Sequence, residues 1–362
     1  MTYRVIQWST GNVGAFALRA ILGHPDLELA GVWVHGAAKD GLDAGELCGV
    51  GPVGVRATRD AQALLASDAD CVVYTATADL RIGAALDDVC RILRSGKNVV
   101  SSSIVPLVHP SQLGPDVERR LEDACRDGNA SFWTSGIDPG FANDLLPLTL
   151  SGLCESWSQI RIQEIVNYAT YDQPEVVLGT MGFGKPMDQM PILLAPGALR
   201  MAWGGAIRLL AEGLGLSLDE ITQHYECLPA PRDLDTAMGV ILEGTRAALR
   251  FEVCGIVGGQ PRLVVEHVTR MHDDLAPDWP RSEGGYHVII EGVPRMVCRL
   301  DMEDEHGDHA VGGVALTATR LVNAIPAVVA APPRPLTALD LPLVTGRGRM
   351  ASGPAPAARG RS

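Results

Sequence analysis

Two domains are predicted for this chain: an α/β domain on a doubly wound parallel sheet, then an α+β domain on a mixed or antiparallel sheet. Three observations predict them. Short apolar runs alternate with amphipathic helical runs over residues 3–135, an order that builds a parallel sheet. A small-residue turn stands between the first strand and the first helix, where such sheets bind ligands. From Ser156 onward the pattern changes to the two-residue alternation of half-buried strands, over 157–168, 247–257, 262–271, 285–291 and 295–301.

The first strand, 3–8, runs into Ser9-Thr10-Gly11-Asn12-Val13-Gly14 and then an amphipathic helix. The turn is a G-x-G-x-x-G motif with serine in the first glycine position. Gly11 allows close approach of a pyrophosphate, Gly14 lets the helix pack on the strand, and the helix start offers free N–H groups and a positive dipole end. Ser9 must keep φ negative or accept strain. The motif reads as a Rossmann-type dinucleotide site, against the plainer reading of a structural turn.

A second strand, 27–35, ends without the acid that NAD enzymes place on the ribose diol, and the nearest base is Lys39. Absence of a carboxylate beside a cation favours NADP over NAD, although Asp40 and Asp43 are close by. A helix over 60–66 leads to a buried strand, 70–77, whose end Thr75-Ala76-Thr77 is small and hydroxylated. Next come a helix at 80–95, a strand at 97–101, an apolar loop at 102–110, a helix at 115–127 and a strand at 130–135. The cofactor-binding candidates are Ser9, Thr10, Gly11, Asn12, Val13, Gly14, His35, Lys39, Thr75, Ala76 and Ser101.

Gly136-Ile137-Asp138-Pro139-Gly140 forms an irregular turn before a helix at 145–153, read as the hinge between domains and part of the active-site rim. Helices are expected near 190–213, 217–228 and 236–246, and a last one at 313–331 returns to the first domain. The predicted organisation is a dinucleotide-binding domain at 1–140, a substrate and dimerisation domain at 141–312, a returning helix and extension at 313–346, and a disordered tail at 347–362.

Composition narrows the function classes. A formal net charge of −13 argues against general affinity for nucleic acid or anionic membrane. Residues 1–8 carry no apolar signal-peptide run and no stretch of 18 apolar residues occurs, so neither a leader nor a membrane span is expected. The eight cysteines show neither C-x-x-C nor Cys/His ligand spacing, so reduced thiols in a cytoplasmic protein are expected, with no metal site.

Five stretches together resemble the dihydrodipicolinate-reductase-like oxidoreductases, in the branch of 2,4-diaminopentanoate dehydrogenase and the native amine dehydrogenases. They are Gln7-Trp8-Ser9-Thr10-Gly11-Asn12-Val13-Gly14, Asp43-Ala44-Gly45-Glu46-Leu47, Gly96-Lys97-Asn98-Val99-Val100, Ser135-Gly136-Ile137-Asp138-Pro139-Gly140 and Leu321-Val322-Asn323-Ala324-Ile325-Pro326. The His-His-rich signature of true dihydrodipicolinate reductase is missing. The resemblance implies hydride transfer between NAD(P)H and a C=N or C=O carbon of a small ketone, imine or amine, in a homodimer. It also implies a glutamate on the loop after the Asn-Val-Val strand, but residues 101–110 hold no carboxylate and Ile104 or a neighbour stands there. An ammonium product would lack its obvious anionic partner.

His267, on a strand of the second domain, is the preferred general acid, because imidazole titrates near neutral pH. Tyr168 and Tyr171, on the segment matching the family's aromatic pocket wall, are the other catalytic candidates, with packing roles as the alternative. His109 ranks third among the acids, and His306 and His309 read as a solvated loop. Besides the dehydrogenase, two readings stay open: an NAD(P)-binding sensor or partner without catalysis, and hydride transfer to a larger apolar ketone. The apolar 104–108 loop and the methionines at 181–190 favour the latter.

Overall fold

The computed structural model describes residues 2–78 and 81–350. Seven strands form the first sheet, in the order β15-β6-β5-β4-β1-β2-β3 and all parallel. They are β1 (Tyr3–Trp8), β2 (Leu27–Trp33), β3 (Ala57–Thr58), β4 (Cys71–Tyr74), β5 (Asn98–Ser101), β6 (Phe132–Thr134) and β15 (Pro335–Leu336). The crossovers carry α1 (Asn12–Leu22), α2 (Ala44–Leu47), α3 (Ala61–Ala66), α4 (Ile82–Arg94) and α5 (Pro115–Gly128). Strand order reverses at β1, which lies between β2 and β4, so the 9–14 turn sits at the topological switch point where such sheets bind ligands. Val5, Cys71, Val73 and Val100 are fully buried in this sheet, as expected for a parallel sheet covered on both faces.

The second sheet is mixed, in the order β14-β13-β7-β12-β11-β8. It comprises β7 (Ser156–Asn167), β8 (Glu220–Pro229), β11 (Arg246–Val257), β12 (Gln260–Arg270), β13 (Gly285–Val293) and β14 (Met296–Asp301); β7 and β12 are parallel and the other pairs antiparallel. A hairpin of β9 (Leu234–Thr236) and β10 (Gly239–Ile241) lies beside it. Two segments expected as helices are therefore strands. Residues 217–228 fall mainly in β8, where Ile221, Gln223, Tyr225 and Cys227 alternate with polar neighbours and pair with β11, so a period of two overrides helical propensity. Residues 236–246 end β9, form β10 and begin β11.

α6 (Leu145–Ser151) follows the hinge turn, and α7 (Ala198–Gly213) packs on the inner face of the second sheet and against the 105–113 segment of the first domain. Glycines permit that approach: a Cβ on Gly205 would lie 2.5 Å from the Pro106 carbonyl oxygen. α8 (His309–Ala330) returns to pack on α1 and β5. By length and composition it is apolar enough to cross a membrane. Here its Leu321, Val322, Ile325 and Val328 fill the core against α1 instead. His309 belongs to the first turn of α8, not to a solvated loop; its Nε2 lies 2.6 Å from the Asn167 carbonyl oxygen. Of the tail expected to be disordered, residues 347–350 are placed, with Arg349 donating to the Ala20 carbonyl; the remainder lies outside the described residues.

Candidate active site

The 9–14 turn is built by the backbone. Ser9 takes the strained alternative, with φ of +77°, and its N–H donates to the Trp33 carbonyl. Gln7 holds the turn from below, Nε2 donating to Ser9 O at 2.7 Å and to Thr75 Oγ1 at 2.8 Å. Gly14 is required by packing, since a Cβ there would lie 2.3 Å from Ser9 O. Gly11 is different: a Cβ there would meet nothing within 4 Å, and as the N-cap of α1 it leaves the first helical turn without a side-chain cap. Free N–H groups facing open space fit a dinucleotide pyrophosphate.

The other sequence candidates in this domain fall around the same edge. Lys39 Nζ donates to Thr10 O at 2.7 Å and Thr10 Oγ1 at 3.2 Å, so it reaches the turn itself. His35 is exposed beyond the end of β2, where its carbonyl accepts from Arg59 Nε at 3.0 Å. Arg59 is a second cation there that sequence reading missed. Thr75 Oγ1 approaches Trp8 O and Ser9 O as well as Gln7, which makes it a brace of the turn. Ala76 is buried next to it, and Ser101 Oγ accepts from Ser103 N at the end of β5.

A second feature is a buried charge cluster. His267, on β12, sits between two acids: Nε2 is 3.3 Å from Asp138 Oδ2 and Nδ1 is 3.2 Å from Glu164 Oε1. Asp138 comes from the hinge turn after β6, and its Oδ1 accepts from Trp203 Nε1 on α7 at 2.8 Å. Glu164, on β7, also accepts from the hydroxyls of Tyr168 at 3.1 Å and Tyr286 at 2.7 Å. The imidazole stacks on Phe251 at 4.6 Å and meets the edge of Trp203 at 4.6 Å. Three separate segments and α7 thus converge on one ring.

Electrostatics sets the protonation states. Burial alone would push His267 down, but the Asp138 and Glu164 carboxylates outweigh it and raise the imidazole to about 10. Burial opposes the charge on Glu164, yet His267 and the two tyrosine hydroxyls hold its carboxyl below the usual range. Burial, with Glu164 beside them, drives Tyr168 and Tyr286 well above 10. At neutral pH the cluster therefore holds an imidazolium, Glu164 as carboxylate and two protonated tyrosines. Asp138, Glu164 and His267 each offer a ligand atom within 4.8 Å of the others; the two acids approach opposite ring nitrogens, and both Glu164 oxygens accept from tyrosine hydroxyls.

Tyr168 and His267 are thus brought together, while Tyr171 packs on Tyr168 with ring centroids 4.8 Å apart. His109 lies elsewhere, with Nε2 2.9 Å from Glu212 on α7. Ile104 is fully buried at the start of a 3-10 turn, Val105–Val108. The carboxylates of this cluster come from other segments than the 101–110 loop, Asp138 from the turn after β6 and Glu164 from β7. Asp138 stands in a Gly-Ile-Asp-Pro-Gly turn visible in the sequence, but Glu164 is one of several polar residues in an alternating strand. Its pairing with His267 depends on the parallel register of β7 and β12.

Comparisons with known proteins agree with this architecture. Residues 5–103 match the family described as dihydrodipicolinate reductase, N-terminus, and residues 141–351 match the 2,4-diaminopentanoate dehydrogenase C-terminal domain. An amine dehydrogenase of Streptomyces virginiae is 45% identical over 355 residues, covering 95% of this chain and 98% of that protein. The 2,4-diaminopentanoate dehydrogenase of Acetoanaerobium sticklandii is 24% identical over 72% of this chain and 70% of its own length. Among solved structures, the amine dehydrogenase of Mycobacterium smegmatis shares the fold, with a TM-score of 0.78 at 21% identity over 95% of this chain and 97% of that one. The chain belongs to the family of 2,4-diaminopentanoate and amine dehydrogenases, NAD(P)-dependent oxidoreductases that act at a C=N or C=O carbon.

Proposed function

We propose that this protein interconverts a primary amine and the corresponding carbonyl compound. Water and oxidised cofactor are consumed in the deaminating direction, and ammonium, carbonyl compound and reduced cofactor are formed. The observation that carries this reading is the Asp138–His267–Glu164 cluster. Two acid side chains around one imidazole, in an apolar shell of Trp203 and Phe251, make the cluster richer in acids than in bases and favour a cationic nitrogen nearby. The similarity to the Streptomyces virginiae amine dehydrogenase supports the same chemistry.

His267 is the general acid and base of this reading, releasing a proton as charge develops on nitrogen or oxygen and taking it back in the reverse direction. Asp138 and Glu164 orient the ring and balance its charge, and Tyr168 and Tyr286 fix Glu164 through their hydroxyls. The nicotinamide, when bound, supplies or accepts the hydride. Lys39 and Arg59 at the end of β2 support NADP over NAD, as cations suited to a 2′-phosphate. Eight free cysteines support a reducing, cytoplasmic setting. The outer face of the second sheet, where the Arg161, Arg250, Glu252 and Glu266 network adjoins exposed Leu228 and Val297, supports a homodimer across that face.

NADPH oxidation is to be followed over a panel of ketones and aldehydes with and without ammonium. Turnover only with ammonium is expected. Equal turnover without it would replace the proposal by carbonyl reduction, and cofactor binding without any turnover would support the non-catalytic sensor.

A further inference from the structure

A cavity of about 200 Å3 lies apart from the cofactor turn, between the 136–141 segment, the middle of α8 and the chain at 344–346. Its lining is of mixed chemistry: Ile137, Phe141, Leu316 and Val344 are apolar, while Arg320, Asn323 and two threonines, Thr319 and Thr345, are polar. Neither the 9–14 turn nor His267 lines it.

Arg320 is the unexplained group. Its guanidinium stacks over Trp133 at 5.0 Å and Phe141 at 5.8 Å. Its Nε and Nη2 are buried with no hydrogen-bond partner among the described residues, and so is Asn323 Oδ1. Burial pulls the guanidinium down, and Asp144 acts on it through space without forming an ion pair. A half-buried guanidinium with two enclosed nitrogens lacking partners, and a carboxylate acting on it only from a distance, is costly, and the adjoining cavity gives room for a closer anion.

We propose that this cavity binds a short-chain carboxylate, its head on Arg320 and its hydrocarbon tail against Ile137, Phe141, Leu316 and Val344. A planar guanidinium matches a planar carboxylate, and the apolar walls suit an alkyl chain better than a tetrahedral phosphate. The site is separate from the charge cluster yet shares a segment with it. Ile137 and Phe141 flank Asp138, and Phe141 N donates to Gly136 O across the turn. A bound acid therefore steadies the segment that presents Asp138 to His267.

The test needs no turnover, so it stands or falls independently of the reaction proposed above. The full-length protein is titrated with sodium butanoate at constant ionic strength, following tryptophan fluorescence and the thermal midpoint. The expected result is a saturable response with a midpoint that rises as mass action requires. Arg320→Gln abolishes both while NADPH affinity is unchanged, and Arg320→Lys, lacking the planar fork, binds at least tenfold more weakly. Asn323→Asp, which sets a carboxylate one helical turn from Arg320, blocks the response and keeps the test open should Arg320→Gln not fold. No saturable response in the wild type overturns the proposal, as does an equal response in Arg320→Gln. Phosphate or butan-1-ol acting as well as butanoate would also overturn it. So would an apparent butanoate constant rising in proportion to NADPH, because the acid would then occupy the cofactor site.

Discussion

Two edges of this molecule, the 9–14 turn and the charge cluster around His267, are made in different ways. The cofactor turn at 9–14 is contiguous, and backbone atoms and small residues do its work: Ser9 is strained, Gly14 has no room for a Cβ and Gly11 has open space above it. The charge cluster is dispersed, drawing Asp138 from a turn, Glu164 from β7 and His267 from β12. Its properties reside in side chains, and each member depends on the others for its charge. A turn of the first kind tolerates or rejects a Cβ one position at a time, whereas removing any one member of the cluster changes the electrostatic surroundings of the others.

The largest effect is expected in the cluster. His267→Asn should lower kcat/KM by about 100- to 10,000-fold, the usual range for a general acid–base group, while NADPH binding measured by fluorescence stays near wild type. A comparable loss of NADPH affinity would show that the two edges are not functionally separable. Next in size is the contrast between two glycines. Gly14→Ala should impair folding and cofactor binding together, because a Cβ there collides with Ser9 O. Gly11→Ala meets no protein atom and should leave the thermal midpoint unchanged while weakening NADPH binding, since the methyl group occupies the pyrophosphate's approach.

A pH series sharpens the same comparison. The imidazole of His267 is raised from 6.5 to about 10, so its charge supports the fold fully below pH 6.5, and that support is lost as pH rises through 10. The thermal midpoint should fall across this window, and His267→Gln should flatten the slope. Gly11→Ala should leave the slope intact. The smallest expected effect is at the ribose end: Lys39→Ala should reduce the NADPH-over-NADH preference about tenfold, the scale of one charge-assisted hydrogen bond. An unchanged ratio would remove Lys39 from cofactor selection.

The readable parts of the fold were those where one local period governs. Strands β1, β2, β4, β5 and β6 and helices α4, α5 and α8 follow apolar patterning closely. The 217–228 and 236–246 segments did not read correctly, because β8 and the β9–β10 hairpin are held by cross-strand pairing with partners remote in sequence. In the site, the same division recurs. His267 stood out through its residue type, and Tyr168 through its place on the resemblance. Glu164 carried no local signal, and Arg59 is 20 residues from Lys39 in the chain yet reaches the same corner through β3.

By itself, then, the amino-acid sequence determined the doubly wound first domain, the position of the small-residue turn between β1 and α1, and the family, since all three rest on contiguous patterns of size and polarity. Only the tertiary structure decided that Asp138 and Glu164, from separate segments, flank His267, and that the imidazole is charged between them. The physical reason is that a protonation state depends on distance and burial, and parallel pairing of β7 with β12 brings together groups separated by 103 residues of chain.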